Sequence, residues 1–281
     1  MAWLDGLKKV VFVTGAARGQ GRSHAIRLAE EGADIIAVDL CADIESVRPF
    51  YQGATPEDLQ ETVRQVKALD RRIVSAQADV RDRDALQSVV DDGVAQLGRL
   101  DAVVANAGIF TFGDETHRLP EQTWQDIIDV NMTGVWHSVS AATQAIIDGG
   151  NGGSVTIISS LAGFKGLPNV AAYTVAKHGI VGLMKVLANE LGPHRIRVNT
   201  IHPNAIETDM IINPATFKLF RPDLDAPTKD DAAPGFAGMN PMNVPFIPSI
   251  AVSNAVPFLT SDEAEYVSGA MLPVDAASAQ K

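Results

Sequence analysis

An α/β fold, with one mostly parallel sheet covered by helices on both faces, is predicted by three observations. Short apolar runs rich in β-branched residues alternate with longer stretches of helical period from the first residues onward. The glycine-rich segment TGAARGQG at 14–21 follows the first of these runs directly, where a strand would turn into a helix. Finally, 281 residues with 46% hydrophobic side chains suffice for one large core or two small ones, and the chain shows no repeat and no low-complexity tract.

Residues 10–13 (VVFV) and 34–38 (DIIAV) form the first two predicted strands, joined by a helix over 23–31. A helix over 56–69 leads to a strand at 73–78, and a helix over 82–97 leads to a strand at 100–105. Strands at 155–158 and 196–201 flank the longest helix, 172–191, and a last strand covers 270–274, about seven in all. Continuous apolar runs of this length suit strands buried on both faces.

Two stretches break the rhythm. Residues 41–55 (CADIESVRPFYQGAT) form a connector longer than the usual two to six residues, which reads as a surface insertion. Residues 203–248 hold eight of the fifteen prolines and offer one short helix around 214–220. Because folded sequence resumes afterwards, this apolar excursion reads as a substrate-covering flap within one domain spanning 1–281. Beyond it, Pro257 should kink or shorten a helix over 250–259.

Composition excludes several functions. Lys and Arg number 23 against 34 Asp and Glu, a net charge of −11, with no run of five basic residues, so nucleic acid and anionic membranes are poor partners. The N-terminal MAWLDGLKKV places an acid and two lysines before the first apolar run, unlike a cleavable signal. No stretch of 18 apolar residues occurs, so a cytoplasmic location is expected. A single cysteine, Cys41, excludes an internal disulfide framework and a zinc site of paired thiolates. His24, His117, His137, His178, His194 and His202 never fall in HExxH spacing, so no metal site is expected.

Chemistry concentrates in three clusters. In the first, Gly15, Gly19 and Gly21, with Arg18 and Gln20 between them, let the backbone turn tightly and approach a pyrophosphate at a helix N-terminus. An ordinary strand-to-helix turn would look similar. Asp39 nevertheless closes the second strand 24 residues after Gly15, followed by Leu40, where a carboxylate can accept from both ribose hydroxyls and repel a 2′-phosphate. That favours NAD over NADP, although Arg18 could meet a 2′-phosphate. The connector 41–55 would then lie near the adenosine end. In the second cluster, Asp79-Val80 and Asn106-Ala107-Gly108 sit at strand ends, where small residues leave room for adenine and ribose; alone, either is simple turn chemistry.

The third cluster points to the reaction. Tyr173 and Lys177, four apart on one helix face, can bring an ammonium near a phenol and favour its ionised form, which makes the phenol a general base. Ser160, at the end of the fifth strand, can donate to the same substrate oxygen, and Asn131 could hold a water that connects Lys177 to solvent. Taken singly, Tyr and Lys at this spacing are ordinary surface residues and Ser159-Ser160 an ordinary cap. Their joint order after a dinucleotide turn is what carries weight.

With TGAARGQG, Asp39, Asp79-Val80, Asn106-Ala107-Gly108, Asn131, Ser160 and YTVAK at 173–177, the chain resembles the short-chain dehydrogenases/reductases across essentially its whole length. The resemblance implies a Rossmann-type doubly wound sheet of seven parallel strands, usually a homotetramer, and a catalytic set of Asn131, Ser160, Tyr173 and Lys177. GAARGQGRSHAIRLAEEGADIIAVD, CADIESV, VVANAGI and KLFRPDLDAPTKDD look like the mycofactocin-coupled subgroup, which includes carveol dehydrogenases. This implies oxidation of a secondary alcohol with NAD that can stay bound and be reoxidised by a separate redox carrier. Pro203, Ile206 and Thr208 match positions expected near the nicotinamide carboxamide. Asn204 replaces the family's usual glycine, and Asn is the side chain that best tolerates a left-handed backbone.

Phe110, Phe112, Phe164, Leu167 and the segment Phe217 to Phe220 are expected to shape an apolar alcohol site that suits a cyclic terpenoid, although core packing would equally use them. An NADPH-dependent carbonyl reductase, which Asp39 opposes, and a nucleotide-sensing regulator without turnover remain as alternatives. A scaffold role has no feature in its favour. Small residues at 176, 179 and 182 permit close helix approach at a subunit interface or against the sheet.

Overall fold

The computed structural model describes residues 9–281; the N-terminal segment considered for a signal falls almost wholly on residues 1–8, outside them. Seven strands, β1 (Val10–Thr14), β2 (Asp34–Asp39), β3 (Ile73–Gln77), β4 (Ala102–Ala105), β5 (Gly153–Ile158), β6 (Ile196–Pro203) and β7 (Met271–Val274), form one parallel sheet. Their order is β3-β2-β1-β4-β5-β6-β7. The chain winds outward from β1 in one direction and from β4 in the other, so the connections diverge between β1 and β4 and leave a crevice at the strands' carboxyl ends. This is the doubly wound, Rossmann-type sheet in a single domain.

Helices α1 (Gly19–Glu30) and α2 (Pro56–Ala68) pack on one face of the sheet, and α3 (Arg83–Leu97), α5 (Gly134–Gly149) and α6 (Ala171–Leu191) on the other. Phe12 and Ile36 point into one apolar cluster with Leu86, Val90 and Met184, whereas Val11 and Ile35 point into the other with Leu28 and Val66. That division is the period-2 alternation of a strand buried on both sides. Local signals set the helix limits. Thr55 and Asp58 make a reciprocal capping box at α2, Asp82 caps α3 through the Ala85 amide at 3.0 Å, and Gly98 ends α3 in the left-handed region.

Helix α4 (Glu121–Ile128) leads through a π-helical stretch, Asp129–Thr133, into α5. The segment after β6 carries α7 (Pro214–Phe220), as expected, and a second helix, α8 (Lys229–Ala237), hidden in the sequence by its internal Pro234. Thr228 and Asp231 form the capping box that starts α8. The stretch 250–259 is split into α9 (Ser249–Ser253) and α10 (Ala255–Thr260), because Pro257 has no amide to give the Ser253 carbonyl. Among the described residues, no helix is long and apolar enough to cross a membrane.

Candidate active site

The crevice begins where β1 and β4 end. Thr14 Oγ1 accepts from the amides of Asn106 and Ala107, both at 3.1 Å, and Asn106 Nδ2 donates to the carbonyls of Thr14 at 2.9 Å and Gly15 at 3.2 Å. The backbones approach so closely that a Cβ on Gly21 would lie 1.9 Å from the Gly15 carbonyl oxygen, and one on Gly15 2.8 Å from Ala107 Cα. Gly15 also needs a left-handed φ of +67°, and Gly19 one of +56°. Gly19, Gln20 and Gly21 open α1 with their amides toward the crevice end of the sheet.

Gly15, Arg18, Gly19, Gln20, Gly21, Asp39, Leu40, Asp79, Val80, Asn106, Ala107, Gly108, Tyr173, Lys177 and Thr208 all line this one crevice. Asp39 accepts from the Ala17 amide on one carboxylate oxygen and the Cys41 amide on the other, each at 3.0 Å, which fixes its plane. Arg18 hydrogen-bonds the Gln52 carbonyl and lies 2.9 Å from Asp209. Asp79 is paired with Arg81 at 2.6 Å. Pro203 and Ile206 stand apart from the lining. Pro203 ends β6 opposite Val274, and Ile206 is buried in the core and bridged to Ile247.

Asn204 does not take the left-handed backbone expected of it. Ala205 does, at φ +50°, while the Asn204 amide donates to Ser278 Oγ at 2.8 Å.

The residues expected to carry the reaction come from three elements. Tyr173 lies in the first turn of α6, with Lys177 one turn below it and 3% exposed. Ser160, just past β5, has its Oγ held by the Ala162 amide at 3.1 Å and lies near enough to Tyr173 to pull the phenol's pKa down. Asn131 sits in the π-helical stretch and clasps Ile109 twice, accepting from its amide at 2.9 Å and donating to its carbonyl at 2.8 Å. Its Oδ1 would lie 2.7 Å from a Cβ on Gly108.

The electrostatics differ from what the spacing implies. Lys177 Nζ donates to the Ile158 carbonyl at 2.9 Å and lies over the Tyr173 ring, 5.5 Å from its centre, rather than at its hydroxyl. Burial pushes the phenol up to about 12, against the pull of Ser160, and pushes the ammonium down to about 7. Helical spacing fixes adjacency, but desolvation fixes the direction of these shifts.

The 41–55 connector is more than a surface insertion at the adenosine end. Val47 is buried, and Ala42, Ile44, Val47, Tyr51, Gly53 and Ala54 form one wall of the crevice. Tyr51 accepts from the Phe110 amide at 3.0 Å, Ser46 donates to Asp126 at 2.7 Å, and Phe50 packs on Phe112 at 5.0 Å between ring centres. The segment thus bridges from β2 to α4 and to the loop after β4. Nothing in its local pattern signals these partners, which lie about 60 to 80 residues away in sequence.

Phe110 packs edge-on against Tyr173 at 4.9 Å and touches Phe112, while Phe164 and Leu167, near Ser160 in sequence, are exposed. Phe217 and Phe220 do not serve as a pocket wall. They pack with Ala232 and Phe236 into a small core of their own, because α7 and α8 must bury their apolar faces against each other.

A model of the family described as short chain dehydrogenase matches residues 9–216. The chain belongs to the short-chain dehydrogenase family. Among its relatives, (−)-trans-carveol dehydrogenase of Rhodococcus erythropolis is 47% identical over 281 residues, covering 100% of both chains. The crystal structure of carveol dehydrogenase from Mycobacterium avium in complex with NAD superposes with a TM-score of 0.97 at 54% identity, covering 100% of both chains. That of a short chain dehydrogenase from Mycobacterium paratuberculosis bound to NAD gives 0.88 at 42% identity, covering 98% of each.

Proposed function

We propose that this short-chain dehydrogenase oxidises an apolar secondary alcohol to a ketone with NAD. One observation carries the reading: a single crevice is lined both by the carboxylate of Asp39 and by the Tyr173–Lys177 pair, with Ser160 near enough to the phenol to oppose its upward shift. The crevice suits a dinucleotide. Its floor is bare backbone at Gly15 and Gly21, where any Cβ would collide, and Gln20 Oε1 is buried there without a hydrogen-bond partner. Gly15, Gly19, Gln20 and Gly21 would hold the pyrophosphate, and Asp39 and Leu40 the adenosine ribose. Asp79, Val80, Asn106, Ala107 and Gly108 would hold the adenine and the middle of the cofactor, and Thr208, Tyr173 and Lys177 the nicotinamide half. When bound, NAD supplies the acceptor for the hydride that leaves the alcohol carbon.

Tyr173 takes the hydroxyl proton, Ser160 orients the oxygen, Lys177 holds the ribose, and Asn131 would hold a water that connects Lys177 to solvent. With Arg18 engaged by Gln52 and Asp209, a 2′-phosphate would face Asp39 without a free cation, which disfavours the NADPH reductase alternative. A nucleotide sensor would have no use for the convergence of Ser160, Tyr173 and Lys177. Phe110 and Phe112 beside Tyr173 favour a compact apolar substrate such as a cyclic terpenoid alcohol, in line with the carveol dehydrogenases. The 203–248 flap covers it, since Asp209 and Met210 reach the crevice.

The wall built by residues 42–54 supports the further reading that NAD stays bound between turnovers and is reoxidised by a separate, mycofactocin-type carrier. A homotetramer is supported by the exposed Trp136 on α5 and Val175 and Val186 on α6, with open space beside Gly182.

Tyr173→Phe should lower alcohol oxidation by about a hundred- to ten-thousandfold with the fold intact, and the wild-type rate should climb with pH as the raised phenol ionises; near wild-type turnover in the variant would refute the assignment. Denaturing the purified protein should release stoichiometric nicotinamide, with turnover on an artificial electron acceptor. An empty protein that turns over with free NAD would contradict retention. Light scattering at micromolar concentration should give a tetramer mass, and a monomer mass would contradict the assembly.

A further inference from the structure

His202 has no part in the site as described, yet it is fully buried on β6 directly behind Ser160. Its Nδ1 lies 2.8 Å from the Ser160 carbonyl oxygen, and its Nε2 lies 2.8 Å from Thr200 Oγ1. A carbonyl oxygen can only accept, so Nδ1 carries the hydrogen and Nε2 accepts from the Thr200 hydroxyl. The competing contact from Thr200 Oγ1 to the Ala270 carbonyl is longer, at 3.4 Å. The ring's tautomer and orientation are therefore fixed at both nitrogens.

The Ser160 carbonyl also accepts from the Gly163 amide at 2.9 Å, so both its lone pairs are filled. Together with the Ala162 amide on Oγ, these bonds leave Ser160 little freedom to rotate or shift. On its other side the imidazole packs on Phe164, with ring centres 4.2 Å apart, and a Cβ on Gly163 would come within 3.0 Å of it. Burial pushes the imidazole down to about 4, so it stays neutral and its single Nδ1 hydrogen is the one the geometry requires.

We propose that His202 is a positioning residue for the reaction, its Nδ1–H fixing the backbone of Ser160 so that the serine hydroxyl meets the substrate oxygen and Tyr173 together. This rests on the reading of Ser160 as the group that orients the substrate oxygen. No proton moves through His202.

Two substitutions separate the donor from the ring. His202→Asn places an amide NH₂ near the position of Nδ1, whereas His202→Gln reaches toward Thr200 and abandons Ser160; both remove the stacking on Phe164. The expected result is that His202→Gln lowers kcat about tenfold, the worth of one hydrogen bond. His202→Asn should stay within about threefold of the native enzyme, and NAD affinity should be unchanged in both. Equal rates in the two variants, whether both native-like or both low, would overturn the donor role. If neither folds, Thr200→Val carries the test, because it removes the hydroxyl that fixes the tautomer and should lower kcat several-fold with NAD affinity intact; an unchanged kcat would overturn the proposal. Ser160→Ala is the control. If it retains native kcat, the reading of Ser160 itself fails, whereas a dead Ser160→Ala beside native-like His202→Gln rejects only the role of His202.

Discussion

The seam between β1 and β4 is the constraint on which the rest of the site depends. A parallel sheet delivers every strand's carboxyl end to one edge, and here the two central strands are tied together at that edge by Thr14 and Asn106. The tie brings the glycine turn within contact of the β4 end, so a methyl group at Gly15 or Gly21 has no room. Because β5 and its register partners continue from β4, the same seam sets the distance between the glycine turn and Ser160, Tyr173 and Lys177. The glycine turn and the group Ser160, Tyr173 and Lys177 are thus two ends of one rigid framework.

Around that framework the chain adds two covers that are held by specific bonds. The 41–55 segment is pinned by Tyr51 and Ser46, and the post-β6 segment meets it through Arg18, which bonds Gln52 on one side and Asp209 on the other. Arg18 is consequently a tie between the two covers. Burial within this enclosure explains the opposed shifts of Tyr173 and Lys177, since both charged forms lose water and neither gains a direct partner of opposite charge.

Much of this was legible in the sequence because it is written in local pattern. The seven apolar runs, the glycine turn, Asp39 at a strand end and the four-residue spacing of Tyr173 and Lys177 each follow from backbone geometry over a few residues. The break before Pro257 did too. What the sequence concealed depends on distant partners or on exceptions to local rules: the contacts of Tyr51 with Phe110, the helix α8 that tolerates Pro234, and the left-handed Ala205 in place of Asn204. The packing of Phe217 and Phe220 stayed open between pocket and core for the same reason, since an apolar residue in a flap reads alike whether it faces a ligand or another helix. His202 gave no signal at all, because its meaning lies in a partner 42 residues earlier.

The central claim is that a carbon–hydrogen bond of an alcohol is broken beside Tyr173 at the nicotinamide end of this crevice. The most direct test is to compare turnover of a cyclic secondary alcohol carrying hydrogen or deuterium at the carbinol carbon, following reduced nicotinamide in the protein during a single turnover. The account predicts formation of reduced nicotinamide, slowed by deuterium at that carbon. Alcohol consumption without any reduced nicotinamide, or no reaction of cyclic secondary alcohols at all, would contradict it.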